Sequence, residues 1–286
     1  MHPVRALRHL LLALQFFTRV PLGPRLSAWV GYSPDLLRAA LGHFPAVGAL
    51  LGVPLAAFSA ALLELLPGTA ATPWVVAALG TALGVLLTGG LHEDGLADVA
   101  DGLAGSAERE RALQIMKDPR LGAFGTLALL LVVLNKMALL ALLATLSVRG
   151  LAAALVLGHV LSRSWPLVLV AVLPNVGDPT ASKSLAITRG GSAGSVRCAL
   201  LWCAAAVAGT LMWLAYPPFT RAGRVPASAG CAVLLGLLAS ALVFLALWRW
   251  FARRLQGYTG DCLGAVQQLT ELAFYLGVAL AGGMVP

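Results

Sequence analysis

Seven segments of the chain are apolar over about the thickness of a bilayer, and this leaves few folds open to it. They cover roughly residues 43–66, 73–91, 125–147, 150–173, 197–216, 229–248 and 269–285. A transmembrane helix needs about 20 such residues. The last segment is short and carries Glu271. In hydrocarbon each spanning segment must satisfy its own backbone polar groups, so these segments are expected to be helices. Composition agrees, with 59% hydrophobic and 11% charged residues and a mean hydropathy of +0.86. Soluble domains have about 45–50% apolar and about 25% charged residues. A soluble globule, a disordered chain and a coiled coil are excluded. The expected fold is all-α: a polytopic membrane bundle of about seven transmembrane helices, forming one integral membrane domain over residues 1–286.

Before the first span, Arg5 and Arg8 precede the apolar run from Leu10 to Phe17. The run lacks a small-x-small cleavage site and is too short to span. It is expected to be an amphipathic helix lying at the membrane surface. Small residues recur every four positions at Gly48, Gly52, Ala56 and Ala60, and at Gly80, Gly84 and Thr88, a pattern that lets helix backbones approach closely. The four cysteines form no CxxC pair and are expected to serve packing.

The net charge of +8 points to a membrane rather than to nucleic acid, because basic residues flank spans on the cytoplasmic side. With the N-terminus inside, 15 Lys and Arg fall in inner segments and 3 (Arg149, Arg221, Arg224) in outer loops. That bias places the N-terminus and the stretch 92–124 in the cytoplasm.

Seven of the twelve acids lie between Glu93 and Asp118. Asp94, Asp98 and Asp101 are spaced i, i+4, i+7, which is one face of a helix. Such an acidic run can be a solvated face. Three carboxylates with no interleaved base also repel one another and call for a cation, and oxygen-only donors favour Mg²⁺ or Mn²⁺ over zinc. His92 stands at the mouth of this cluster, as a structural residue or a base. Lys117 and Arg120 flank Asp118 just beyond it, an arrangement suited to a phosphate-bearing substrate held beside a metal. Lys183 and Asp261 fall in two further inner loops, so four separate loops can build one site at the inner surface. Asp261 is a candidate second metal ligand or base.

Lys136 and Arg163 lie within spans, where a charge faces a cavity or a partner. Their similar depth suggests one shared anionic target, either substrate phosphate or Glu271. If they are otherwise unpaired, neutral substitutions should leave folding intact.

The segment His92-Glu93-Asp94-Gly95-Leu96-Ala97-Asp98-Val99-Ala100-Asp101-Gly102 resembles the HxDGLADxxDG signature of the cobalamin synthase family. The resemblance runs along nearly the whole chain. Phe17-Thr18-Arg19-Val20-Pro21, Phe44-Pro45 with Gly48, Ile115 to Gly122, Lys136, Ser162-Arg163, and Thr259-Gly260-Asp261-Cys262-Leu263-Gly264-Ala265 followed by Glu271 all match family motifs. Tyr258 departs from the family's frequent Gln. The resemblance implies Mg²⁺-dependent joining of adenosylcobinamide-GDP to α-ribazole or its 5′-phosphate, with release of GMP, in the inner membrane. It implies that Asp94, Asp98 and Asp101 hold the metal, that Lys117, Arg120, Lys136, Arg163 and Lys183 meet phosphate, and that His92 or Asp261 is the base. Glu93, Asp118, Arg19, Thr259, Gly260 and Glu271 are further site candidates. No nucleic acid partner is expected, and a homo-oligomer is compatible with the sequence.

Two rival readings differ from this one. CDP-alcohol phosphotransferases place Ala-Arg after their Asp-Gly, whereas here Ala97 is followed by Asp98. An ion-coupled transporter would carry its acids near the midplane of its spans, whereas here they cluster in loops at one face.

Overall fold

The computed structural model describes residues 3–177, 193–216 and 227–282. Among these residues the regular structure is helical, apart from one isolated bridge between Asn175 and Tyr258. Six helical stretches are long and apolar enough to cross a bilayer: Pro34–Leu65, Ala123–Leu146, Val148–Val172, Gly194–Leu214, Ala229–Arg254 and Gly260–Gly282. The protein is therefore an all-α, multi-pass membrane bundle.

The N-terminal amphipathic segment forms α1 (Pro3–Phe17), longer than its apolar core suggested. Two short helices follow, α2 (Pro24–Val30) and α3 (Pro34–Ala40). A 3-10 turn at Leu41–His43 leads into the first long helix, α4 (Phe44–Leu65). The second expected span ends early. Its helix α5 (Thr72–Thr88) has 17 residues and meets α6 (Leu91–Gly105) at 91°. Gly89 and Gly90 make this corner with φ of 68° and 70°, a left-handed conformation that glycine adopts without a Cβ penalty. Arg19 braces it. Its backbone N–H donates to the Leu87 carbonyl at 2.7 Å, and its side chain lies against Gly89 where a Cβ would stand.

After α7 (Arg109–Ile115) come α8 (Ala123–Leu146) and α9 (Val148–Ser162). The fourth expected span is interrupted, because α9 stops at Arg163 and α10 (Trp165–Val172) restarts with proline in its first turn. Proline cannot donate a backbone hydrogen bond there. The last helices are α11 (Ala193–Leu214), α12 (Ala227–Arg254) and α13 (Gly260–Gly282). The final span is thus longer than the expected 269–285 and begins at Gly260. Asp261 lies in the first turn of a helix and not in a loop.

Helix α13 is the centre of the bundle, packing on α6, α8, α9, α10 and α12. The small-residue ridge of α4 seats on α9: a Cβ on Gly52 would lie 2.9 Å from the Val156 Cα, and one on Gly48 would strike the His159 carbonyl. Segments assigned to the inner side from charge meet at one end of the bundle. Arg109 Nε donates to the Leu255 carbonyl at 2.7 Å, and Arg254 reaches the Ser106 carbonyl.

Replacing Gly48 by Val should force α4 off α9. Overpacking of this kind costs about 1–3 kcal/mol, so the melting temperature in detergent should fall by several degrees. Gly68→Val, with no atom within 4 Å of the added Cβ, is the control.

Candidate active site

Helices α6 and α13 touch backbone to backbone. A Cβ on Gly95 would lie 2.8 Å from the Asp261 carbonyl oxygen, and one on Gly264 would lie 2.9 Å from that of His92. Glycine at both positions removes the side chains that would hold the helices apart. This contact sets Asp94 and Asp261 on the wall of one cavity of about 600 Å³, which His92, Lys117, Thr259 and Gly260 also line. Functional side chains from three stretches of sequence therefore converge on one crevice. The Thr259 hydroxyl donates to Asp261 Oδ2 at 3.1 Å.

The three acids of α6 share a helix but not an environment. Asp94 is exposed, Asp98 is half-buried and Asp101 is buried. Burial, then repulsion from Asp261, Asp94 and Asp101, pushes the Asp98 carboxyl up to about 7. This crowding is the electrostatic condition that a cation would relieve. Asp101 has a different task. Its Oδ2 accepts the Gly122 N–H at 2.7 Å and its Oδ1 accepts the Gly125 N–H at 2.8 Å, so both oxygens cap the start of α8. Among the described residues, no three His, Cys, Asp or Glu side chains are gathered to hold a metal ion by themselves. Asp94, Asp98 and Asp261 nevertheless suit Mg²⁺ in kind, since that ion is usually held by one or two carboxylates together with substrate phosphate.

Arg120 lies away from the crevice, 86% exposed. It grips Asp118 with two bonds, Nε to Oδ1 at 2.9 Å and Nη2 to Oδ2 at 2.6 Å, and this holds the Asp118 carboxyl down at about 2. Lys183 lies outside the described residues. Tyr258 is buried, with its backbone paired to Pro174 and Val176, so the departure from the family pattern falls in a joint beside the crevice.

Lys136 and Arg163 belong to a second cluster, beneath the first. Lys136 Nζ pairs with Glu271 Oε1 at 2.7 Å. Tyr275 donates to the same oxygen at 3.0 Å, and Gln267 donates to Oε2. Arg163, 1% exposed, donates to the His159 carbonyl at 2.9 Å and stacks over Phe44. His159 Nδ1 is 3.6 Å from Glu271 Oε2. Gln268 bridges Gln267 and Glu93, tying this cluster to α6. Of the two anionic targets expected for the cations, Glu271 is the one that Lys136 pairs with, and Arg163 approaches it through His159. Gln267, Glu271 and Tyr275 recur every four residues on α13, and His159 and Arg163 do so on α9. That spacing was the available signal for His159, Gln267 and Tyr275, which sequence reasoning missed. The expectation that a neutral residue at position 136 leaves folding intact is corrected, because the Lys136 charge is paired.

His92 lies between the two clusters. It is 4% exposed and stacks on Phe44 with ring centroids 5.9 Å apart. Burial, then the charge of Arg163, lowers its pKa well below the usual imidazole value.

Two sets of variants test these assignments. Asp101→Ala should cost about 1–2 kcal/mol of stability through the lost cap, seen as a lower melting temperature, whereas Asp94→Ala should leave the melting temperature unchanged. Lys136→Met should destabilise by about 3–5 kcal/mol by leaving Glu271 uncompensated. Adding Glu271→Gln to it should recover much of that loss, measured by unfolding in detergent.

Residues 9–279 match the family described as cobalamin-5-phosphate synthase. Among curated relatives, the adenosylcobinamide-GDP ribazoletransferase of Albidiferax ferrireducens is 54% identical over 274 residues, covering 96% of this chain and 98% of its own. That of a Polaromonas species is 48% identical, over 98% of this chain and 100% of its own. That of Vibrio cholerae is 36% identical, over 93% and 91%. No solved structure matches the chain.

Proposed function

The chain belongs to the cobalamin-5-phosphate synthase family, and from that premise we propose that the crevice between α6 and α13 joins adenosylcobinamide-GDP to α-ribazole or its 5′-phosphate, releasing GMP. The enzyme is an adenosylcobinamide-GDP ribazoletransferase acting at the last assembly step of cobalamin synthesis. The observation that carries the site assignment is the glycine contact that brings the Asp94 and Asp261 stretches together, with Lys117 lining the same cavity.

In this reading a ribose hydroxyl that is free in both acceptors, and so not the 5′ one, attacks the phosphorus that stays on the cobinamide; the 5′-phosphate, when present, is carried into the product unchanged. The bond from that phosphorus to the bridging oxygen breaks, and GMP leaves with the far phosphate. Asp94 and Asp98 would hold Mg²⁺, which when bound would neutralise the pyrophosphate oxygens. Lys117 takes up charge on the non-bridging oxygens. Asp261 receives the proton of that hydroxyl, since buried His92 beside Arg163 is poorly placed to become charged. The Asp101 carboxylate anchors α8 and so fixes the far end of the acidic helix. The charge bias of 15 to 3 supports a crevice facing the cytoplasm, in the inner membrane. An enzyme of this kind needs no acid in an ion pathway, and the paired state of Lys136 and Glu271 argues for a structural role over transport.

The test is direct. Purified protein with adenosylcobinamide-GDP, α-ribazole and Mg²⁺ should release GMP, and chelation should abolish release until Mg²⁺ is restored. Asp94→Asn and Asp261→Asn should each lower turnover by roughly 10²-fold or more while the protein remains folded. Near-normal turnover in both variants would remove the crevice from the mechanism.

A further inference from the structure

Lys136 turns into the bundle and pairs with Glu271, whereas its neighbour Asn135 is exposed on the outer surface of α8. Asn135 is the thirteenth of the 24 residues of Ala123–Leu146, about 18 Å along the helix at 1.5 Å per residue. In a hydrocarbon core about 30 Å thick its amide lies near the midplane. Among the described residues that amide has one partner. Its Nδ2 donates to the Leu131 carbonyl at 2.7 Å, one turn back on the same helix. One N–H and the side-chain carbonyl oxygen are left over. Lipid tails offer neither donor nor acceptor, so unmatched polar groups are costly at this depth.

The helix cannot turn to hide the group. Rotating α8 would draw Lys136 away from Glu271. Its first turn is also held by Asp101, through the N–H groups of Gly122 and Gly125. These contacts lie at two heights on α8 and fix its rotation, so the amide stays on the surface.

The residues around it indicate what covers it. Ala128, Leu131, Asn135, Ala138, Leu142 and Thr145 are spaced by 3, 4, 3, 4 and 3, and each is exposed or partly exposed. A period of 3.5 residues is the seam of a left-handed helix pair. The two alanines let a second helix approach closely. A single asparagine within such a seam fixes register and oligomer state. The amide is also self-complementary, because it carries both donor and acceptor. Across a two-fold axis, two copies give and receive the same bond. Copies inserted with one orientation put that axis along the membrane normal, with the two α8 helices parallel.

We infer that this face of α8 is the contact between two copies of the chain in the membrane, Asn135 of one copy bonding the partner's Asn135 near the midplane.

The test is association in bilayers without substrate, so its outcome is independent of the transferase reading. Protein labelled with donor or acceptor dye is reconstituted in phosphatidylcholine vesicles, and energy transfer is followed as added lipid dilutes it. Wild type should follow a monomer–dimer equilibrium. Asn135→Leu should weaken dimerisation about 3- to 30-fold, the range for one interhelical polar contact, with helix content by circular dichroism unchanged. Asn135→Gln, which keeps the amide, should dimerise more tightly than Asn135→Leu. Transfer no greater than random proximity gives, or an Asn135→Leu dimer as tight as wild type, overturns the proposal. Crosslinking tests the face separately. With a copper catalyst in air, Leu131→Cys should form a disulfide-linked dimer in membranes, above the level set by the native cysteines. Leu201→Cys, also at an exposed position but on α11, should stay at that level. Equal crosslinking at the two positions likewise overturns the proposal.

Discussion

The arrangement rests on one close approach of two backbones. Where α6 crosses the first turn of α13, Gly95 and Gly264 let the helices touch with no side chain between them. Everything chemical in the molecule is spaced from that point. One residue back from Gly95 is Asp94, three back from Gly264 is Asp261, and His92 faces the contact from its rim. A methyl group at either glycine would shift one helix against the other, displacing the two carboxylates relative to each other. The acidic helix is therefore held as part of the bundle core and is not a loop appended to it.

Around this contact the protein divides its charges by depth. Near the surface, carboxylates outnumber bases and crowd one another, which raises Asp98 and suits a site that functions with a cation and a polyphosphate. Deeper, Lys136, Glu271 and Arg163 are gathered into a hydrogen-bonded set with Tyr275, Gln267 and His159. A buried ion pair of this kind adds little stability by itself, because desolvation offsets attraction. What it contributes is register, since Gln268 and Glu93 extend it to α6. The crowded upper layer can stay strained because the lower layer fixes the helices that carry it.

Much of this was legible in the sequence. Hydropathy gave the spans, the positive-inside bias grouped the loops, and the i, i+4, i+7 spacing put three aspartates on one helix. The misreadings came where tertiary contacts override local signals. Thr259-Gly260-Asp261 looks like a turn by composition, yet it starts α13 because that glycine-rich end is pressed against α6. The second span reads as continuous through residue 91, yet Gly89 and Gly90 turn the chain under Arg19. Asp101 matches its neighbours in type and spacing, and its added role as the cap of α8 is not a misreading but a contact that local sequence does not encode. The Lys136–Glu271 pair joins residues 135 positions apart, a separation that no local pattern encodes.

That long separation bears on how the chain is made. Helix α8 must enter the membrane carrying Lys136, and a lysine near the centre of a span opposes insertion by about 2.5–3.5 kcal/mol. Its counter-charge arrives only with α13, the last helix in the described chain. During synthesis the early helices therefore hold an unmatched cation in the bilayer, and the bundle can close only after the final span has been delivered. Membrane assembly of this bundle is committed only when the helix bearing Glu271 is in place, and a chain stalled before Glu271 would present a polar, unsealed helix for quality control to recognise.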